Sequence, residues 1–252
     1  MILNKFNNSL KRNGIVKTIR ISLNYLFTLY KRKKLRKKFT KNLENYTVED
    51  KFIWIFKNNW WGSNESLSGT GSTLEYTNNL RKELPKLIID FNICSVLDAP
   101  CGDFNWMKVL LPTLNINYIG ADIVQDLVDS NNAKYKNKSI KFLKLNIITD
   151  SFPPADLLIC RDCLFHLSNE DIQSVLMNFI NSKISYLLTT THKNTNNFKN
   201  INIQTGDYRH IDLFSYPFNF PVNPLVRIDD YVLPLETEMC LFSREQILSI
   251  EV

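Results

Sequence analysis

From Ile93 onward, short apolar runs alternate along the chain with stretches whose apolar residues recur at helical spacing. This alternation predicts strands and helices in turn, which is typical of an α/β fold built on a parallel sheet. The predicted strands cover residues 94–98, 117–121, 140–145, 156–160 and 185–190. The predicted helices between them cover residues 104–112, 125–132 and 169–181. Two later runs, Arg227–Val232 and Met239–Ser243, predict a closing pair of strands.

Two further helices are predicted ahead of the first strand. Residues 44–59 carry an apolar face formed by Phe52, Ile53, Ile55 and Phe56. The pattern next predicts a helix over residues 73–90, capped by Ser72 or Thr73. Pro85 lies inside this second helix and predicts a kink or a break there.

The segment between these helices, Trp60–Thr77, holds three of the chain's seven glycines and many small hydroxyl residues. One interpretation is a loop that folds over a ligand and offers it backbone N–H groups and hydroxyls. The alternative is an ordinary surface loop that caps the next helix. The paired tryptophans Trp60 and Trp61 favour the first interpretation.

The stretch Ser95–Met107 predicts a buried strand, a tight turn and the start of a helix. Asp98 ends the strand, and the next predicted strand ends in Asp122, 20 residues after Gly102. In a doubly wound sheet, a nucleotide-like ligand binds at this turn. An acid at the end of the second strand accepts hydrogen bonds from the ribose hydroxyls of that ligand. The alternatives are a tight turn without a ligand and, for Asp122, a helix N-cap.

Three motifs carry a family resemblance: LDAPCGD at 97–103, GAD at 120–122 and DLLICRDCLFHL at 156–167. In this order and spacing they resemble the class I S-adenosylmethionine-dependent methyltransferases, from about Trp60 to Phe242. The resemblance implies a doubly wound, mostly parallel seven-stranded Rossmann-like sheet with an antiparallel closing hairpin. It implies S-adenosylmethionine as cofactor, with contacts at Asp98, Ala99, Gly102, Asp122, Ile123, Asn146 and Arg161.

The sequence departs from the family's glycine pattern. Pro100 and Phe104 stand where the family has its first and third glycine, so Gly102 alone remains. Gly102 still allows the backbone to approach a ligand closely. Asn146, at the end of the third strand, is placed by the resemblance beside the adenine amino group.

The candidate catalytic residues follow the fourth and fifth strands. All three histidines, His166, His192 and His210, lie in these loops, and histidine is the usual base near neutral pH. We predict that His166 or His192 is the base and that Asp162 orients the base or the acceptor. Cys160, Cys163 and His166 have a metal-like spacing, but a structural zinc needs four ligands, so no metal is predicted.

A polar and aromatic segment, Thr205–Phe220, suits a pocket for a polar small molecule, although it also fits a solvated crossover. The predicted substrate contacts are Trp61, Ser68, Asp207, Arg209 and His210. The whole chain resembles bacterial methyltransferases found with surface-polysaccharide (capsule) genes. That resemblance implies a sugar or sugar-linked acceptor.

Charge is distributed unevenly. Residues 1–43 hold 13 lysines and arginines and no acid, and the whole chain carries +6, so residues 44–252 carry a net −7. The predicted organisation is a basic amphipathic helical arm over 1–45 and a methyltransferase domain over 46–252. An acidic domain argues against nucleic acid as partner.

The arm invites two interpretations: an interfacial helix with a polybasic patch on the inner membrane surface, or a helix packed on the domain or a partner. Charges interrupt its apolar stretch, Ile15–Tyr30, so no transmembrane span or signal peptide is predicted. Five cysteines without a dense framework indicate a reducing compartment, and a cytoplasmic location is expected.

Three rival functions stay open from sequence. A nicotinamide-dependent reductase shares the strand–turn–helix and the ribose acid, although it normally shows a fuller G-x-G-x-x-G. A nucleic-acid methyltransferase would use the basic arm as a tether. A non-catalytic binding module on a membrane would bind no cofactor.

Overall fold

The computed structural model describes residues 46–231 and 236–250, and the predicted arm and the last residue of the predicted strand Arg227–Val232 lie outside them. The strands are β1 Ser95–Asp98, β2 Asn117–Asp122, β3 Ile140–Lys144, β4 Leu157–Cys160, β5 Tyr186–His192, β6 Val226–Asp229 and β7 Thr237–Ser243. The helices are α1 Val48–Lys57, α2 Asn78–Asp90, α3 Met107–Leu110, α4 Gln125–Tyr135, α5 Asn169–Asn181 and α6 Arg244–Leu248.

The seven strands form one sheet in the order β3-β2-β1-β4-β5-β7-β6. The first five pair in parallel, and β7 pairs antiparallel with both β5 and β6. The predicted mostly parallel, seven-stranded α/β sheet with its antiparallel closing hairpin is therefore confirmed. Strand order reverses at β1, between β2 and β4, which opens a crevice at the carboxyl ends of these strands.

Both faces of the sheet are covered. Alternating strand residues point to opposite faces, so Val96 packs with the apolar side of α2 whereas Leu97 packs with the apolar side of α5. The central strands β1 and β4 are consequently buried on both faces and largely apolar, as expected for a parallel sheet between helices, whereas the edge strands β3 and β6 carry exposed charged residues. This burial fixes the strand register and with it the residues that end each strand at the crevice.

Three helix predictions need correction. The predicted cap at Ser72 or Thr73 is wrong: α2 begins at Asn78, and the hydroxyl of its N-cap residue, Thr77, donates to the Thr73 carbonyl. The helix continues through Pro85 without a break. The predicted helix 104–112 starts only at Met107, because the left-handed backbone of Phe104, with φ of 61°, prevents an earlier start.

Candidate functional site

A cavity of about 290 Å³ lies at the carboxyl ends of β1, β2, β4 and β5. The loop Trp60–Thr77 forms one side of it, and α1 contributes Val48, Phe52 and Phe56. The cavity has two parts. The β1–β2 end contains Asp98, Gly102, Asp122 and Asn146, and the β4–β5 end contains Asp162, His166, His192 and Tyr208.

Asp98 is a buried carboxylic acid at the end of β1, only 2% exposed. The Tyr118 hydroxyl donates to Asp98 Oδ2 at 2.6 Å. Burial raises the pKa of Asp98 to about 7, although the tyrosine hydrogen bond acts in the opposite direction. The Asp98 side chain therefore sits between its charged and neutral forms near neutral pH and favours a ligand that supplies positive charge.

Asp122, at the end of β2, accepts two backbone hydrogen bonds. Gly102 N–H donates to Oδ2 at 3.0 Å and Val124 N–H to Oδ1 at 2.9 Å. Burial raises the pKa of Asp122 to about 6, although hydrogen bonds from backbone N–H groups act in the opposite direction. Because α4 takes Val124 as its N-cap, Asp122 is not the N-cap and its carboxylate faces the cavity.

Gly102 brings the turn after β1 into close contact with the loop Trp60–Thr77. It adopts a φ of 56°, and a Cβ at this position would lie 2.0 Å from Ser68 Oγ. Only glycine meets both demands without displacing the loop. At the third glycine place of the family pattern, Phe104 keeps a left-handed backbone and is held in an aromatic cluster with Tyr118 and Phe142.

The loop Trp60–Thr77 is fastened over the turn by Asp103. Its carboxylate accepts from Ser66 Oγ at 2.9 Å, Leu67 N–H at 2.7 Å and Ser68 Oγ at 3.2 Å. In return, Asp103 N–H donates to Ser68 Oγ at 3.0 Å. The loop therefore folds over the turn after β1 and lines the cavity, and its contact with a ligand stays a prediction. The predicted substrate contacts Trp61 and Ser68 both line the cavity.

Arg161 joins three parts of the chain at the cavity wall. Its Nε donates to Asp230 Oδ2 and its Nη2 to the Gly71 carbonyl, both at 2.7 Å, while Nη1 lies 3.2 Å from Asp162 Oδ2. The sequence predicts a cofactor contact for Arg161. In the structure, Arg161 lines the cavity, and its guanidinium group also fastens the loop Trp60–Thr77 to the residue that follows β6, while its contact with a cofactor stays a prediction.

Asp162 follows β4 in a left-handed conformation, with φ of 50°. Its N–H donates to Thr190 Oγ1 at 2.8 Å, and that hydroxyl lies 3.2 Å from Asp162 Oδ1. Gly71 packs on the carboxylate, where a Cβ would lie 2.5 Å from Oδ2. The strained backbone and these contacts hold the Asp162 carboxylate at the cavity.

His166 is fixed in one tautomer. Its Nδ1 lies 2.7 Å from the Asp207 carbonyl oxygen, which can only accept, so Nδ1 carries the hydrogen. Nε2 of the neutral ring then holds a lone pair, and burial lowers the pKa of His166, which favours that neutral form. Trp61 packs against the ring, with 5.6 Å between centroids. His166 therefore has the geometry of a general base.

Four predicted site residues do not line the cavity: Ala99, Asp207, Arg209 and His210. Ala99 is fully buried and donates its N–H to the Ile159 carbonyl. Arg209 is 3% exposed and donates to the Leu167 carbonyl at 2.5 Å, so it supports the 205–213 segment from behind. His210 stacks on His192 with 4.8 Å between centroids. Asp207 contributes its backbone carbonyl to His166.

The predicted residues Ile123 and Asn146 do line the cavity. Asn146 Oδ1 accepts the Ile148 N–H at 3.0 Å, which shapes the turn after β3. Residue type and spacing did not predict the contacts of Thr190, Gly71 and Asp230, and Tyr208 was predicted only as part of the polar and aromatic segment Thr205–Phe220. Thr190 is one of three consecutive threonines in β5, Thr189–Thr191, and the sequence does not single it out.

Comparison with solved structures finds similar folds at low sequence identity. The magnesium protoporphyrin IX methyltransferase of Synechocystis PCC 6803, with bound S-adenosylhomocysteine, matches at 10% identity over 75% of this chain and 93% of its own, with a TM-score of 0.52. Human N-acetylserotonin methyltransferase, in complex with S-adenosylmethionine, matches at 12% identity over 79% and 60%, with a TM-score of 0.53. The chain has the fold of class I S-adenosylmethionine-dependent methyltransferases.

A third structure with this methyltransferase fold, the methyltransferase domain of bacterial CtHen1, matches at 15% identity over 67% of this chain and 98% of its own, with a TM-score of 0.51. No family model matches the chain, and no curated protein matches it in sequence. Within residues 46–231 and 236–250, no group of three or more potential ligands is placed to hold a metal ion. No helix in the same residues has the length and apolar character to cross a membrane.

Proposed function

We propose that the protein transfers a methyl group from S-adenosylmethionine to a hydroxyl (or a similar oxygen or nitrogen group) of a small polar acceptor. One observation carries the proposal. In a methyltransferase fold, a single cavity joins two buried carboxylates at its β1–β2 end to a histidine with a fixed tautomer at its β4–β5 end.

The β1–β2 end suits a ligand that is cationic and rich in hydroxyl groups. Asp98 and Asp122 are both buried, and burial raises their pKa values to about 7 and about 6. Ribose hydroxyls and an ammonium group would supply the donors and the positive charge that these carboxylates lack. Asn146 would face the adenine, and Gly102 would let the backbone approach the cofactor.

The same charges disfavour the reductase alternative. A nicotinamide dinucleotide carries a pyrophosphate, which needs cations or helix-start N–H groups. Among the described residues that line the cavity, Arg161 has the one guanidinium or ammonium group, and Asp230 and Asp162 already pair with it. A pyrophosphate would therefore meet Asp98 and Asp122 without a compensating cation.

When bound, S-adenosylmethionine supplies a methyl group already activated by its sulfonium charge. The protein's own residues then have two tasks. His166 Nε2 takes the proton of the acceptor hydroxyl, and Asp162, held by Thr190 and Gly71, orients the acceptor. The cavity walls hold the acceptor in line, and this positioning provides much of the rate.

The acceptor end favours a neutral molecule with hydroxyl groups. Arg161 is paired there with Asp162 and with the buried Asp230, so this end of the described cavity has no unpaired cation that could hold an anionic acceptor. Trp61, Tyr76 and Tyr208 add aromatic surfaces suited to the apolar face of a sugar ring. These features support the sugar or sugar-linked acceptor of a bacterial surface polysaccharide or capsule that the sequence resemblance implied.

Calorimetric titration tests the cofactor first. We expect S-adenosylmethionine and S-adenosylhomocysteine to bind at micromolar concentrations, NADH and NADPH not to bind, and Asp122→Ala to lose the binding. Asp126→Asn, an exposed carboxylate one turn away in α4, is the matched control and should bind normally. Binding of the nicotinamide pair instead would contradict the proposal, and binding of none of them would favour the non-catalytic module.

The acceptor is tested with matched sugars and radiolabelled S-adenosylmethionine. Methyl hexopyranosides should be methylated, whereas a glucuronic acid or a hexose 6-phosphate of the same ring should be poor acceptors. Preference for the charged sugars would contradict the neutral acceptor site. Oligonucleotides in the same assay test the nucleic-acid alternative, which predicts their methylation.

For the basic arm, we propose contact with the anionic inner face of the membrane. Each lysine or arginine near such a surface contributes ~1 kcal/mol. The full chain should sediment with phosphatidylglycerol vesicles at low salt but not at high salt, and not with phosphatidylcholine vesicles. Sedimentation with neither vesicle would instead favour packing of the arm on the domain or a partner.

A further inference from the structure

His192 is the second candidate base, but both of its ring nitrogens have partners. Ile211 N–H donates to Nδ1 at 3.2 Å, and the His192 backbone N–H donates to the Ile211 carbonyl at 2.8 Å. A nitrogen that accepts a hydrogen bond must carry a lone pair, so Nδ1 has no hydrogen. The hydrogen of the neutral ring is therefore on Nε2.

Nε2 of His192 lies 3.3 Å from the Tyr208 hydroxyl oxygen. Because Nε2 carries the hydrogen, the imidazole donates and the phenol oxygen accepts. Burial lowers the pKa of His192 to about 4 and raises that of Tyr208 to about 12, so both groups are neutral at neutral pH. The phenol thus keeps its own hydrogen and can donate it to another group.

His166 and His192 consequently hold opposite tautomers at the same end of the cavity. His166 carries its hydrogen on Nδ1 and offers a lone pair at Nε2, whereas His192 carries its hydrogen on Nε2 and has its lone pair occupied. The two histidines are therefore not interchangeable bases. His166 can accept a proton from an acceptor, and His192 cannot do so without breaking its bond to Ile211.

Tyr208 is placed to use its free donor beside His166. Its ring lines the cavity, with centroids 5.8 Å from His166 and 5.5 Å from Phe165. The residue is also 44% exposed, so an entering molecule can reach the phenol. The His210 ring stacks on the His192 ring, with an angle of 16° between the two planes, and so packs against the face of that imidazole.

We infer that Tyr208 binds the acceptor by donating its phenol hydrogen to an acceptor oxygen, and that His192 is the positioning residue that aims this phenol. The inference rests on the proposed function of the cavity as a methyl-transfer site. It divides the acceptor's hydrogen bonds between two residues. The hydroxyl that loses its proton faces His166, and a neighbouring oxygen accepts from Tyr208.

Nitrogen NMR tests the pairing without any acceptor. The chain has three histidines, so a sample labelled with ¹⁵N in histidine gives few signals, and single variants assign them. At neutral pH we expect His192 to carry its hydrogen on Nε2 and His166 on Nδ1. Tyr208→Phe should shift the His192 Nε2 signal and leave the His166 signals in place. A His192 ring protonated at Nδ1 would overturn the inference.

Kinetics with a methyl hexopyranoside test the roles of Tyr208 and His192. Two variants each keep one of the two hydrogen-bonding groups of the His192 ring. Gln places an amide donor near Nε2, and Asn places an oxygen acceptor near Nδ1. His192→Asn and Tyr208→Phe should each raise the acceptor KM about 5- to 10-fold, the size of one lost hydrogen bond, without weakening cofactor binding. His192→Gln should lie closer to wild type.

The double variant completes the test. His192→Asn combined with Tyr208→Phe should be no worse than Tyr208→Phe alone, because His192 acts through the phenol. If His192→Gln instead turns over about 100-fold more slowly than wild type at unchanged KM, the size of a lost base, then His192 is the base and the inference is overturned. Failure of wild type to bind S-adenosylmethionine would contradict the proposed function, whereas the NMR result decides the pairing by itself.

Discussion

The two ends of the cavity are assembled in different ways. At the β1–β2 end, Asp98 meets Tyr118 and Asp122 meets Gly102, and each pair is 20 positions apart in the chain. At the β4–β5 end, His166 meets Asp207 41 positions away, and Arg161 meets residues 69 and 90 positions away. The unit β1–α3–β2 thus supplies both acids of the first end, whereas the second end combines segments that are far apart in the chain.

This difference in assembly corresponds to different expected functions, cofactor binding at the β1–β2 end and acceptor binding at the β4–β5 end. The β1–β2 end presents two buried carboxylates that a short sequence motif encodes. They suit a cofactor that stays the same whatever the acceptor is. The β4–β5 end takes side chains from three loops, so its shape depends on how distant segments dock on the sheet. Variants at the two ends should therefore affect cofactor binding and acceptor turnover separately.

The largest effect is expected at His166. His166→Ala should slow turnover of a methyl hexopyranoside by about 10²- to 10⁴-fold, the usual contribution of a positioned base, at unchanged cofactor Kd. His210→Ala should cause a much smaller loss, since His210 lies outside the cavity. Equal rates in wild type and His166→Ala would show that the base assignment is wrong.

Arg161 links the ends through the loop Trp60–Thr77. Arg161→Met leaves the Asp230 carboxylate buried without its cation, which typically costs about 3–5 kcal/mol, so the free energy of unfolding should fall by that amount. Arg161→Met combined with Asp230→Leu should recover part of the loss. Chemical denaturation measures both, and additive losses in the double variant would contradict the buried pair.

Asp122 tests the β1–β2 end alone. Asp122→Asn removes charged hydrogen bonds worth about 1.5–3 kcal/mol, which corresponds to about 10- to 100-fold weaker S-adenosylmethionine binding. The acceptor KM at saturating cofactor should not change. A shift of both constants would show that the two ends are coupled.

The pH dependence of cofactor binding follows from the raised pKa values of Asp98, about 7, and Asp122, about 6. A cationic, hydroxyl-bearing cofactor prefers their ionised forms, so affinity should rise as pH increases from about 5.5 to about 7.5, with proton release on binding. Calorimetry in two buffers of different ionisation enthalpy measures the released protons. Asp98→Asn should flatten the upper part of the profile.

Folding stability should change in the opposite direction. The folded state holds these two protons more tightly than the unfolded chain, where the carboxyl pKa is near 3.8. The contribution of both groups to stability is therefore fully present below about pH 4 and is lost as pH rises toward about 7. Saturating S-adenosylmethionine should reduce this loss of stability. Melting temperatures measured with and without the cofactor between about pH 4 and about pH 7 would show the difference.

The smallest effects come from a pair of glycine variants. A Cβ on Gly71 would lie 2.5 Å from Asp162 Oδ2 and would push that carboxylate a short distance from its place, so Gly71→Ala should lower acceptor turnover a few-fold. A Cβ on Gly102 would displace Ser68, and its φ of 56° adds strain, so Gly102→Ala should weaken cofactor binding instead. If both variants lost cofactor binding, or both lost acceptor turnover, the division of the cavity into a cofactor end and an acceptor end would be contradicted.

The strands, the parallel sheet and the β1–β2 end could all be predicted from residue order. Burial makes the central strands largely apolar, and the turn around Gly102 is encoded within a few residues. Asp98, Asp122 and His166 are predicted site residues that line the cavity. The start of α2 was mispredicted, because residues 70–72 form a short 3₁₀ helix and the α-helix begins only after Thr77.

The roles at the β4–β5 end became visible only in the folded chain. The sequence offered His166 and His192 as equal candidates, and the partners of their ring nitrogens separated them: a carbonyl from Asp207 and an N–H from Ile211. The fold also showed that Arg161 and Arg209 hold separate segments together. Hydrogen-bond direction depends on which distant group docks beside a side chain, and residue type and spacing do not contain that information.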